Sequence, residues 1–238
     1  MIQIQYSIAN EIFEQFPEFI RGVVAARDVV NRASPPELVN LLREAEANLR
    51  ERVNAETLIT HPRITSWREA FRSLGIKPSE YRPSLEAMVR RVINGNALPS
   101  INALVDIGNI ISLRRLIPVG GHSLNHVSRE IWLRAASGEE KFVPFGTDQM
   151  EHPDRGEFIF TDGDTVLTRR WVWRQSNHTM TELSTTFIEF NLDGLPPVTE
   201  REIKETGEDL ADLVKQFCGG EFSQQVLSRE NPKISIDN

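Results

Sequence analysis

The chain has 238 residues, 39% of them hydrophobic and 26% charged, with a formal net charge of −7. That length buries a sizeable core without staples, and the single cysteine, Cys218, excludes an internal disulfide and a multi-cysteine metal site. No stretch approaches the roughly 18 apolar residues that span a membrane, and residues 1–6 lack the basic and apolar regions of a signal peptide, so the expected address is the cytoplasm.

In chain order, residues 2–6 alternate as a strand, residues 8–16 read as a short helix or turn closed by Pro17, and residues 19–26 read as a second strand. Ser34-Pro-Pro-Glu predicts a helix start with Ser34 as N-cap, running to Glu56 with Leu38, Leu41, Leu42, Ala45 and Leu49 on one face. Two further helices are expected over 64–74 and 85–94, split by a proline-punctuated loop. Residues 101–113 carry apolar side chains at three- and four-residue spacings, a helix with one or two buried faces. Asp106 and Asn109, three apart, share a side of it. They either tie the helix to a neighbouring loop or face a ligand. The helix runs out into Pro118, and Gly120-Gly121 reads as a tight turn before His122.

Beyond His122 the period changes. Strands are expected over 130–136, 141–144, 157–161, 166–174 and 185–191, with Asp162-Gly163 closing a hairpin. Pro196-Pro-Val-Thr199 opens a last helix, 200–217, stopped by Gly219-Gly220, and residues 221–238 read as a polar tail with a mobile end. Helices first and strands afterwards predict an α+β fold, with N-terminal helices packed on a mostly antiparallel sheet. The expected organisation is an N-terminal part of the globule, 1–60, a main domain, 61–220, and the tail, 221–238.

Chemistry-bearing motifs are few. There is no P-loop, dinucleotide fingerprint or G-x-S-x-G, and no cofactor is expected. The five histidines contain no helical zinc pair with an intervening Glu. His122 and His126, four apart, would share a face if helical, but they lack a third ligand, so no metal site is expected. Cys218, in the last apolar turn of a helix, reads as a buried structural thiol. Read as one strand, 169–176 places Trp171, Trp173 and Gln175 on one side and Arg170, Arg174 and Ser176 on the other. The tryptophans fill the core or stack on a flat ligand. Between Pro62 and Gly95 stand seven basic residues (Arg63, Arg68, Arg72, Lys77, Arg82, Arg90, Arg91) against Glu69, Glu80 and Glu86, whereas 200–238 holds five basic against nine acidic. The first segment either presents a positive face or is solvated and ion-paired on separate faces.

Three blocks carry a resemblance. Asn102, Val105, Asp106, Asn109 and Pro118 form one, with the histidine of its pattern falling two positions later, at His122. Trp67-Arg-Glu-Ala-Phe71, Leu74-Gly-Ile-Lys-Pro-Ser79, Tyr81-Arg-Pro-Ser84 and Glu86-Ala-Met-Val-Arg-Arg91 form the second. Pro153-Asp-Arg-Gly-Glu157, Trp171-Val-Trp-Arg-Gln-Ser176 and Thr179 form the third. In this order they resemble, over roughly residues 60–192, the B3/B4 domain of the phenylalanyl-tRNA synthetase β subunit and its free-standing relatives.

The resemblance implies an editing domain that hydrolyses a wrongly attached aminoacyl ester on tRNA. An apolar pocket rejects an isostere with one extra hydroxyl only about 100-fold, so a second site must remove the error. It implies tRNA or aminoacyl-tRNA as partner, with His122 and Asn109 in the catalytic position. It further implies Trp173, Arg174, Gln175, Ser176 and Thr179 around the substrate; the backbone N–H groups of Gly120 and Gly121 would join them at the developing oxyanion, and the basic segment would place Arg82, Arg90 and Arg91 on RNA. A glutamate of the synthetase pattern falls on Asn191 rather than Glu189. The alternatives are a non-catalytic RNA-binding or protein-interaction module with the same fold, and a small-molecule binder using the same pocket.

Overall fold

A computed structural model describes residues 3–237. Among the described residues, six α-helices and ten strands form three layers. The first sheet has the order β10-β1-β4-β5-β6-β7, from β1 (Gln3–Ile8), β4 (Glu130–Ala135), β5 (Phe158–Asp162), β6 (Thr165–Arg169), β7 (Arg174–Gln175) and β10 (Lys233–Asp237). Only β1–β4 in it is parallel. The second sheet is antiparallel, in the order β3-β8-β2-β9, from β2 (Ile20–Arg27), β3 (Val119–Ser123), β8 (Phe187–Gly194) and β9 (Glu221–Leu227). The architecture is α+β.

The sheets stack, and helices α2 (Pro36–Arg52), α4 (Ser84–Ile93), α5 (Ala103–Arg115) and α6 (Glu200–Cys218) cover the far face of the second. Helices α1 (Asn10–Gln15) and α3 (Pro62–Ser73) add Phe13, Trp67 and Phe71 to the core between the sheets. Strand β2 is buried on both sides, which explains its near-continuous apolar run: Val24 and Ala26 meet the helices, Val23 and Ala25 the other sheet. In β8 the alternation has a different meaning. Ile188, Phe190 and Leu192 join the helical core, while Glu189, Asn191 and Asp193 point between the sheets, at most 6% exposed. A polar face that a two-layer fold would give to water is here inside.

Several sequence expectations change. Ser34 does not cap α2: Pro35 holds that position, and the Ser34 hydroxyl donates to Asp106 instead. The helix stops at Arg52, because the Asn54 side chain accepts from the N–H groups of Glu56 and Thr57 and turns the chain. Helix α5 begins after Asn102, whose side chain accepts from the Val105 N–H, so Ile101 lies outside it and is exposed. Gly120-Gly121 is not a turn but the middle of β3, which also excludes a helical face shared by His122 and His126. Residues 141–144 make isolated bridges rather than a strand.

The 166–174 strand breaks after Arg169. The 221–238 tail, as far as Asp237, is β9 and β10, which pair with β2 and β1. Polar composition misled there because each strand lies at a sheet edge with one side wet. As expected, Thr199 begins the last helix, with a capping box to Glu202.

Candidate functional site

Helix α5, strand β3, strand β7 and the 176–183 segment surround a cavity of about 710 Å³. Asn109 enters from α5, Gly120 and Gly121 from β3, and Trp173, Arg174, Gln175 and Ser176 from β7 and its flanks. Seven residues singled out from the sequence thus line one cavity, while His122 and Thr179 do not. The remaining wall is largely apolar, including Leu104, Val119, Phe145, Met180 and Phe190.

The α5 polar pair splits. Asp106 is fully buried and accepts from the Ser34 and Ser100 hydroxyls and the Ile101 N–H, pinning the start of the helix to two loops. Asn109, half-buried, makes no side-chain hydrogen bond among the described residues and faces the cavity.

The two glycines of β3 answer to crowding rather than to positive φ. A Cβ on Gly120 would stand 2.6 Å from Asn191 Oδ1, and one on Gly121 3.2 Å from the Phe190 ring. The backbone then presents itself to the cavity. The Asp193 N–H donates to Pro118, so antiparallel alternation turns residues 119, 121 and 123 away from β8. The Gly121 carbonyl accepts from the Gln175 amide at 2.6 Å, and the Ser123 N–H donates to Thr179. The Gly121 N–H shares that outward edge and meets no acceptor among the described residues.

His122 lies beneath this wall, 1% exposed, on a smaller chamber of about 100 Å³ shared with Arg21, Asn191 and Phe160. Its Nδ1 is 2.7 Å from the Thr179 hydroxyl and 3.1 Å from the Gln175 amide, and its Nε2 is 3.3 Å from the Thr168 hydroxyl. The Gln175 amide can only donate, so Nδ1 accepts and Nε2 carries the proton. Burial, reinforced by Arg21, lowers the imidazole to about 3 and keeps it neutral. With both nitrogens occupied, the ring holds Gln175 and Thr179 in place rather than reaching into the larger cavity.

A strained corner aims β7. Arg170 and Trp171 have φ of 45° and 64°, unusual for residues with side chains. Arg169 makes a buried two-pronged ion pair with Glu157 at 2.9 and 2.7 Å, and Glu157 also accepts from the Arg170 N–H. The Arg170 guanidinium sits 3.7 Å over the Tyr81 ring. The corner separates the tryptophans expected on one face. Trp171 enters the core against Phe19 and Trp67, while Trp173 stays half-buried beside Tyr81 at the cavity.

The basic segment is mostly paired. Arg63 bonds Glu202, Lys77 bonds Glu80, and Arg68 and Arg90 both bond the buried Glu86. Arg72, Arg82 and Arg91 meet no carboxylate among the described residues, although Arg91 donates to the Ala97 carbonyl. Cys218 is buried, and burial pushes its thiol up to about 11, consistent with the structural reading. The described residues contain no cluster of three or more His, Cys, Asp or Glu arranged to hold a metal ion, and no helix long and apolar enough to cross a membrane.

Sequence reasoning missed the inter-sheet residues Arg21, Glu189 and Asp193, and the loop residues Phe145 and Leu183. The first group had a signal: Arg21 interrupts an apolar strand. The loop pair had none, because only the tertiary fold brings both loops to the cavity mouth.

Comparison with known proteins places these features in context. The B3/4 domain family model matches residues 66–219. No curated protein matches the chain. Among solved structures, an N-terminal fragment of the phenylalanyl-tRNA synthetase β-subunit from Pyrococcus horikoshii is similar at 9% identity and a TM-score of 0.48, over 99% of this chain and 55% of that one. The chain therefore spans about half the length of that fragment.

Proposed function

The chain belongs to the B3/4 domain family, and from that premise we propose that it binds tRNA and acts in trans as a hydrolase that deacylates a mischarged aminoacyl-tRNA. The observation that carries this reading is the 710 Å³ cavity, in which Asn109, Ser176 and the outward edge of Gly121 converge among apolar walls. Its volume suits an aminoacyl group with the ribose that bears it. The sequence blocks that resemble the synthetase β subunit contribute residues to the same walls.

In the proposed reaction a water oxygen bonds to the ester carbonyl carbon. The carbonyl oxygen gathers negative charge, the bond from carbon to the ribose oxygen breaks, and the ribose oxygen leaves with a proton from the attacking water. The Gly121 N–H faces the developing oxyanion, where a fixed donor in a dry site is most effective. Asn109, with its amide uncommitted, orients the water. His122 acts as a positioning residue, through Gln175 and Thr179. Of the three arginines expected on RNA, Arg82 and Arg91 are available to phosphate, since Arg90 is committed to Glu86.

The decisive test is a deacylation screen over a panel of mischarged tRNAs. One ester is expected to be released well above its spontaneous rate. Asn109→Ala should then lower kcat about 100-fold with tRNA affinity and unfolding midpoint unchanged, because positioning is lost and no structural bond is. Release from no member of the panel would overturn the hydrolase reading.

RNA binding is tested separately by salt titration. Arg82→Ala/Arg91→Ala should weaken every tRNA alike and reduce the slope of log affinity against log salt by about 1 for each lost phosphate contact. An unchanged slope would remove these arginines from the interface.

A further inference from the structure

Phe145 is the one exposed phenylalanine, tyrosine or tryptophan among the described residues, at 60% exposure, and it stands at the mouth of the cavity. Two more of the exposed large hydrophobic side chains, Ile101 and Leu183, line the same cavity. Scattered exposed apolar residues need no explanation, but three around one opening do.

The segment beneath the ring is fastened. Phe142 and Glu151 exchange both backbone hydrogen bonds, at 2.9 and 2.7 Å, closing the loop at its base. The Phe145 N–H donates to the Gln175 carbonyl at 3.2 Å, and the Asn177 N–H donates to the Val143 carbonyl at 3.0 Å. The ring is thus carried on backbone tied to β7 and held out of the core. Beside it in the cavity wall is Arg174, 39% exposed, with its guanidinium 5.9 Å from the Trp173 ring. Its carboxylate partner, Glu151, lies 3.5 Å away and is 37% exposed, a contact that water and salt weaken.

An exposed flat ring next to an accessible guanidinium matches a planar base linked to a phosphate. We propose that Phe145 is the stacking platform for the terminal nucleobase of the RNA, with Arg174 on the adjoining phosphate. This rests on the reading that the cavity takes the 3′ end of tRNA, and it adds the group that holds the base while the ester lies deeper. A stacking face is indifferent to base identity, so the platform gives affinity and register rather than sequence choice.

The test uses the full chain and a fluorescent RNA hairpin with a single-stranded 3′ end, intact or with an abasic terminal nucleotide. Phe145→Ala leaves the core untouched and should weaken binding of the intact RNA about 5- to 150-fold, the range expected for one stacked base. Phe145→Trp should restore it. The abasic RNA should bind wild type and Phe145→Ala equally. Equal affinity of wild type and Phe145→Ala for intact RNA overturns the platform, as does a loss that persists on the abasic RNA and so marks a general apolar or protein-docking face. A wild-type chain that binds the hairpin without hydrolysing any ester removes the hydrolase reading and leaves the platform standing. One that binds no RNA overturns both.

Discussion

Asp193→Ala should lower the unfolding free energy at neutral pH by about 3–5 kcal/mol, the usual consequence of leaving a buried charge without its partner. Arg21 and Asp193 are each 1% exposed and face each other from β2 and β8, with Nη2 2.7 Å from Oδ2. Burial raises the Asp193 carboxyl above its usual range, and Arg21 opposes that shift. Once the carboxylate is gone, the guanidinium keeps the Tyr6 hydroxyl, at 2.8 Å, and the Phe160 and Phe19 rings, none of them charged. Glu189 lies close enough to interact electrostatically with Arg21 and can ionise in compensation. The Asp193→Ala/Glu189→Gln double variant should therefore lose more than the sum of the singles. The apolar exchange Arg21→Met/Asp193→Leu should be close to neutral, because it removes both charges from the interior together. Urea unfolding of the four variants decides the matter. A loss under about 1 kcal/mol for Asp193→Ala would mean that the seam is wetter than its burial implies.

The second large effect is on the pH dependence of stability. Glu189 is fully buried, one of its carboxyl oxygens has no hydrogen-bond partner among the described residues, and the other accepts from Asn191. Burial pushes the carboxyl up to about 8, with Arg21 opposing and Asp193 reinforcing. The sign follows from proton release. Between the ordinary carboxyl range and about pH 8 the unfolded chain ionises at this position and the folded chain does not, so this group's contribution to stability falls as pH rises. Glu189→Gln keeps the shape of the neutral acid and cannot ionise. It should match wild type near pH 4.5 and exceed it progressively up to pH 9, by on the order of a few kcal/mol. Parallel stability profiles of the two proteins from pH 5 to 9 would contradict a carboxyl held neutral between the sheets.

The legibility of the fold varied with what each pattern had to encode. Helices α3, α4 and α6 were readable to within a residue or two, because an apolar stripe on a surface helix is itself the record of which side is buried. The β5–β6 hairpin was readable from Asp162-Gly163. The sequence also named part of the cavity wall: Asn109, the glycine pair and the stretch from Trp173 to Ser176. It misjudged how these residues reach one another. Gly120-Gly121 looked like a turn, since a glycine pair in isolation signals positive φ, whereas the need here is the approach of Asn191 and Phe190 from the neighbouring strand. The 169–176 run looked like one strand, because strict alternation cannot reveal a corner that Glu157 and Tyr81 impose from elsewhere in the chain.

By itself, then, the sequence determined the α+β class, the order of the helices from α2 through α6, the cap and stop of the last helix, and seven of the residues gathered at the cavity. These depend on side-chain periodicity and local backbone preference, which act over a few neighbours. Tertiary structure alone decided that β9 and β10 close the two sheets, that the polar face of β8 is buried against Arg21, and that His122 lies under the cavity wall with both nitrogens occupied. Each of these outcomes depends on a partner far along the chain. A polar side chain carries the same local signature whether water or a distant arginine satisfies it.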